Sequence, residues 1–190
     1  MGEAFSILVP LGEGFEEIEA IAPIDIWRRA GFHVTTATLS ANPLTATRQT
    51  RHLADSTLDE VLNQDFDLIY LPGGRPGADN LAAHDQLLKK LQQQAAAQKW
   101  IAAICAAPLA LNAAGLLNGK KFTCHPTAVS DLKGVSPLNE RIVIDGKLIT
   151  GIAAGAAFEL ALTVIRLVSG AEAVTKVNQS LLCHPSLLGL

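Results

Sequence analysis

The chain has 190 residues, 49% hydrophobic and 17% charged, with a formal charge of −3; that is long enough for one domain, expected over 1–190, to bury a full core without metals or disulfides. Balanced charge, with no basic block or acidic tail, argues against nucleic acid or a membrane as the main partner and for small-molecule chemistry. The N-terminus runs straight into a short apolar strand, with no signal-peptide pattern or membrane-length apolar run, and the three cysteines have unrelated spacings, so a cytoplasmic protein with free thiols is expected.

Phe5 to Leu11 is a short apolar strand, broken by Gly12-Glu-Gly14 before the acidic start of a helix, Glu16-Glu17-Ile18-Glu19. The helix runs to Arg28-Arg29-Ala30-Gly31, acids first and cations last as its dipole prefers, and Pro23 is expected to kink or split it. Phe32 to Leu39 alternates as a second strand. Ser40 to Ala54 reads as a loop with a short strand pair, and Asp55 to Leu62 as a short capped helix. The strand Phe66 to Leu71 leads into the bend Pro72-Gly73-Gly74-Arg75-Pro76-Gly77, which can bring bare backbone N–H groups to a ligand. Ala78 to Gln98 reads as one long amphipathic helix. Lys99 to Ile104 is a buried strand stopping at Cys105, and Pro108 opens the next helix. Lys121 to Pro126 reads as a further strand and turn, and Thr127 to Leu132 as a short helix. Asp145-Gly146 marks a hairpin between Arg141–Asp145 and Lys147–Thr150. Ala156 to Val168 is an apolar helix stopped by Gly170, with another following over Ala171 to Leu182. This alternation predicts a mostly parallel sheet with helices on both faces and a site at the carboxyl ends of the strands.

The chemistry converges on those ends. Cys105 sits at a strand-to-helix turn, where unpaired N–H groups and the helix dipole favour thiolate; the bland alternative is an inert core cysteine. A carboxyl among Glu16, Glu17 and Glu19 can share a proton with it, so that the pair titrates jointly, or all three are ordinary first-turn acids. His125, before Pro126, is a general acid or base facing the same cleft, or a cap for its own turn. Gly73-Gly74 with the Ala106 N–H supplies an oxyanion hole, or simply a turn. Cys124-His125 and Cys183-His184 lack zinc-site spacing, and the glycine bend is neither a dinucleotide nor a P-loop fingerprint, so neither metal nor nucleotide is expected. His33, His52 and His84 carry no pattern and read as surface or structural.

Gly14-Phe-Glu-Glu-Ile-Glu19, the segment Pro23 to Gly31, Leu71-Pro-Gly-Gly74, Ala102-Ala-Ile-Cys-Ala-Ala-Pro108 and His125-Pro126 together resemble the ThiJ/PfpI superfamily, in the branch of the parkinsonism-associated protein (DJ-one) and bacterial ThiJ-like proteins. The resemblance spans nearly the whole chain. It implies a flavodoxin-like three-layer sandwich, a homodimer, and no metal or organic cofactor. It makes Cys105 the nucleophile, Glu19 its carboxylic acid partner and His125 the site histidine, with the Gly74 and Ala106 amides as oxyanion donors and Arg48 and Arg29 near the site and dimer interface. One departure stands out: a polar Arg-Gly-Pro-Gly-Thr-like loop of the branch is replaced by the apolar Gly151-Ile-Ala-Ala-Gly-Ala-Ala157, which puts the pocket roof and dimer geometry in question.

The activity implied is that of a cofactor-independent glyoxalase or deglycase acting on methylglyoxal, glyoxal and their early adducts. The alternative from another class is a redox-responsive protective or chaperone-like protein sensing oxidants through Cys105. A peptidase of the PfpI type would need a tighter Cys-His pair and a higher oligomer, and an amidotransferase-like glutaminase would need a synthase domain or ammonia channel.

Overall fold

A computed structural model describes residues 4–187. In chain order the strands are β1 (Ser6–Leu11), β2 (His33–Thr38), β3 (Leu44–Thr45), β4 (Arg51–His52), β5 (Ser56–Thr57), β6 (Leu68–Leu71), β7 (Trp100–Ile104), β8 (Ile142–Asp145) and β9 (Leu148–Gly151). The helices are α1 (Glu17–Arg29), α2 (Leu58–Val61), α3 (Gly77–Ala82), α4 (Asp85–Ala96), α5 (Pro108–Ala113) and α6 (Ala157–Leu181). Seven strands form one sheet in the order β5-β2-β1-β6-β7-β9-β8, parallel throughout except for the antiparallel hairpin strand β8, while β3 and β4 pair separately. This is the α/β architecture expected from the sequence.

The central strands are apolar on both sides because both sides are covered. In β6, Leu68 and Tyr70 join a core with Trp27 of α1 and Leu160 and Ile165 of α6. Ile69 and Leu71 face the other way, into a core with Leu81 of α3, Leu87 of α4 and Leu111 of α5. The sheet register places the carboxyl ends of β6, β7 and β9 side by side, with Leu71 opposite Ala103 and Ile104 opposite Gly151. The turns that follow these three strands therefore share one edge.

Several elements differ from the sequence expectation, each for a local reason. Pro23 lies inside α1, yet the helix runs unbroken from Glu17 to Arg29. The N–H that Pro23 lacks would have gone to the Glu19 carbonyl four residues earlier; the Tyr70 hydroxyl donates to that carbonyl instead, at 2.6 Å. The expected long helix over Ala78 to Gln98 is two helices, because His84 starts a new one: its Nδ1 accepts the Leu87 N–H at 3.3 Å as an N-cap. Lys121 to His125 is extended but joins no strand; the Thr123 N–H donates to the side-chain hydroxyl of Thr150 at 2.9 Å rather than to a neighbouring backbone. Contrary to expectation, α6 and its approach, Ala154–Leu181, are long and apolar enough to cross a membrane by length and composition, with a hydropathy of 1.4. Here that hydrophobicity serves the core, where Leu160, Ala161, Val164 and Ile165 are buried, and Gly170, at φ 83° and ψ 173°, breaks the helical path.

Candidate active site

Cys105 follows β7 with φ 62°, a left-handed backbone that L residues other than Gly rarely adopt. Three hydrogen bonds frame this conformation. The Cys105 N–H donates to the Gly151 carbonyl at 2.9 Å, the Cys105 carbonyl accepts the His125 N–H at 2.8 Å, and the Ala107 N–H returns to Ile104 at 3.0 Å. The sharp turn lifts the sulfur clear of the sheet edge, where the Gly74 and Ala106 N–H groups donate to it.

Glu19 reaches the same point from the first turn of α1. The residue is 1% exposed. Its Oε2 accepts the Gly73 N–H at 2.8 Å, its carboxyl also accepts from the Ala154 N–H, and it is hydrogen-bonded to the Cys105 thiol. Gly73 has no room for a side chain: a Cβ there would lie 2.6 Å from Glu19 Oε2 and 2.8 Å from the Cys105 Cβ. The Gly73 N–H thus belongs to Glu19. This corrects the expectation of an oxyanion hole using Gly73, since the donors at the sulfur are Gly74 and Ala106.

Burial pushes the Glu19 carboxyl up to about 7, against the hydrogen bonds from Cys105, Gly73 and Ala154 and with help from the Glu16 charge. Burial, then the Glu19 charge and its hydrogen bond, pushes the Cys105 thiol up to about 12, opposed by the Gly74 and Ala106 amides. Both shifts have one meaning: the pair gives up a first proton near neutrality and then holds a single proton between oxygen and sulfur. With that proton on Glu19, the charge that raises the thiol disappears and two N–H groups hold a thiolate.

The pair opens into a cleft of about 560 Å³ lined by Glu16, Ile18, Arg48, His125, Ala153 and Gly155 among others. Arg48 lies 3.9 Å from the Glu16 carboxylate, and its own N–H is fixed on Glu17 Oε1 at 2.8 Å. His125 Nδ1 accepts the Thr127 N–H at 3.2 Å and contacts Thr127 Oγ1 at 2.8 Å. A neutral ring so held carries its proton on Nε2 and can donate it. His125 therefore caps its own turn and lines the cleft at once, joining the two readings its sequence position allowed. Arg29 does not join the site. It pairs with Asp25 at 2.6 Å in the last turn of α1, about 15 Å along the helix axis from Glu19.

Three contributors escaped the sequence: Ala154, whose N–H completes the Glu19 shell, Thr127, which orients His125, and Tyr70 beneath Glu19. Among the described residues no group of three or more His, Cys, Asp or Glu side chains is placed to hold a metal.

The profile of the DJ-1/PfpI family matches residues 5–167. The chain belongs to this family. The crystal structure of Drosophila melanogaster DJ-1beta superimposes with a TM-score of 0.91 at 35% identity, over 96% of this chain and 100% of that one. Protein DJ-1 homolog A of Arabidopsis thaliana is 40% identical over 93% of this chain but only 45% of its own length, so the chain spans less than half of that relative. A Caenorhabditis elegans member, named glutathione-independent glyoxalase DJR-1.2, is 36% identical over 87% of this chain and 89% of its own.

Proposed function

We propose that this DJ-1/PfpI protein is a cysteine-dependent, cofactor-independent glyoxalase that also acts as a deglycase on early glyoxal and methylglyoxal adducts, in a reducing, cytoplasmic setting. The observation that carries the reading is the hydrogen bond between the buried Glu19 carboxyl and a Cys105 sulfur that two backbone N–H groups also reach. The name of the worm relative, at 36% identity, supports it.

With its proton on Glu19, the Cys105 thiolate attacks the aldehyde carbon of methylglyoxal. A C–S bond forms, and the carbonyl electron pair becomes an alkoxide that faces the Gly74 and Ala106 N–H groups. Glu19 delivers its proton to that oxygen. The carboxylate left behind takes the former aldehyde hydrogen as a proton, giving an enediol, and returns it to the adjacent carbon, giving a 2-hydroxy thioester. His125 Nε2 donates to the neighbouring oxygen while charge builds there. Water then cleaves the thioester, releasing lactate and the thiol, so the reaction needs no oxidant, reductant or glutathione. On a hemiaminal adduct the thiolate instead displaces the amine at the carbinol carbon, the C–N bond breaking as Glu19 gives its proton to the leaving nitrogen, and the same hemithioacetal results.

Ile18, which lines the cleft, and Ile21 expose apolar side chains on α1, and Phe158 does so on α6, the helix packed against it, which supports the proposal of a homodimer built through these helices.

The decisive experiment is conversion of methylglyoxal to lactate by the reduced protein without glutathione or added metal, beside Cys105→Ser. Turnover abolished in the variant, with its circular dichroism unchanged, is expected. Undiminished turnover in the variant overturns the mechanism. No turnover by either protein, with clean oxidation of Cys105 to sulfinate by mild peroxide, assigns the chain to redox sensing instead.

A further inference from the structure

Tyr70 is fully buried in the middle of the sheet, its ring edge-on to Trp27 with centroids 4.9 Å apart and planes at 87°. A buried phenol needs a partner. Its partner is the one main-chain oxygen in α1 that proline has released: the Glu19 carbonyl, which would otherwise accept from residue 23. Pro23 and Tyr70 are therefore two halves of one arrangement. A helix built without Pro23 would close this bond within itself; here it is closed from the sheet, so the turn carrying Glu19 is fastened to β6, the strand that leads directly into Gly73. Glu19 is thus gripped twice from the same strand and its turn, at the carbonyl by Tyr70 and at the carboxyl by the Gly73 N–H.

We propose that Tyr70 is a positioning residue, its hydroxyl replacing the N–H that Pro23 lacks and holding the first turn of α1 so that the Glu19 carboxyl meets the Cys105 sulfur. Tyr70 touches no reacting atom. Burial, reinforced by the charges of Glu19 and Cys105, keeps its phenol protonated, so it remains a donor in every state of the pair. The other titratable or charged groups around Glu19 and its cleft are Glu16, Glu17, Arg48 and His125, and none of them bonds the Glu19 carbonyl. The inference rests on proton sharing between Glu19 and Cys105, whatever the substrate.

The test is the pH dependence of Cys105 alkylation by iodoacetamide, read on the peptide that carries it. Reactivity of the unmodified protein is expected to rise through a pH of about 7, where the pair releases its first proton. Glu19→Gln should move the rise well upward. Tyr70→Phe should move it upward by about half a pH unit or more, Pro23→Ala should leave it in place, and the double variant Tyr70→Phe/Pro23→Ala should return it to the starting value, because the new N–H takes the orphaned carbonyl. A Tyr70→Phe protein with a lower melting temperature but an unmoved profile makes the hydroxyl merely structural and overturns the proposal. So does a double variant that keeps the shift. Should Tyr70→Phe alone fail to fold, the double variant decides: a starting profile supports the proposal, and a shifted profile or an unfolded chain overturns it. A profile that Glu19→Gln leaves unmoved removes the proton-sharing reading and the proposal with it, whereas one that moves for Glu19→Gln but not for Tyr70→Phe removes the proposal alone.

Discussion

Glu19 pairs a chemical use with a thermodynamic penalty. Burial pushes its carboxyl up to about 7 from the ordinary glutamate value of 4.5, so the folded state binds its proton more tightly than the unfolded chain does. The stabilisation tied to that proton is complete below about pH 4.5 and is lost as pH rises through about 7, up to about 3 kcal/mol in all. Glu19→Gln, which keeps the shape without the ionisation, should therefore be more resistant to urea than the unmodified protein at pH 8, with the difference shrinking at pH 5. Equal differences at both pH values would show that Glu19 carries no such linkage. At this scale Cys105 was legible because an apolar run ending at a cysteine, with small residues and proline behind it, describes a turn with chemistry. The acidic cluster was legible too, although choosing Glu19 among its neighbours needed the family resemblance. Tyr70 was not, since a buried aromatic in a strand looks like any other core residue until the proline 47 positions away is seen to have freed its acceptor.

Elements carry a different lesson. Short apolar runs and the Asp145-Gly146 turn gave strands and hairpin almost to the residue, because those signals are local. Two of the failures came where a side chain from elsewhere replaced a backbone partner, Tyr70 for α1 and Thr150 for the Thr123 segment, whereas the split at His84 is local. Thr150→Val keeps the β-branched shape but strands the buried Thr123 N–H, and should cost about 1–3 kcal/mol in denaturant unfolding. A loss under about 0.5 kcal/mol, the ordinary scatter of surface changes, would mean that the bond contributes little. The same variant should slow turnover, because this segment leads directly to His125, whose N–H holds the Cys105 carbonyl.

At the scale of the whole molecule, the alternation of strands and helices was enough to predict a parallel sheet covered on both faces and a site at its carboxyl edge. The chain pattern could not place Arg29, because one helix carries residues to both ends of the fold: Glu19 at the cleft, Arg29 at the far side. Assembly is the property left to measurement. A homodimer should sediment at twice the 20.0 kDa chain mass, and Ile21→Glu, a charge on the exposed apolar face of α1, should shift it to the single-chain mass. A protein already at the single-chain mass at micromolar concentration would rule out this dimer.

The grip on Glu19 and Cys105 comes from segments far apart in the sequence, with Gly73 and Glu19 separated by 54 positions and the Gly151 carbonyl held by Cys105 farther on still. Loop closures of that span form late, after the local contacts of helices and hairpins. During synthesis Cys105 leaves the ribosome before Gly151 exists, so the nascent chain lacks the carbonyl that takes the Cys105 N–H and fixes the turn carrying the sulfur. Its heightened nucleophilicity is a maturation event, switched on by the final strand of the sheet. The rate at which Cys105 acquires its neutral-pH reactivity during refolding is thus a clock for completion of the native topology, readable without any substrate.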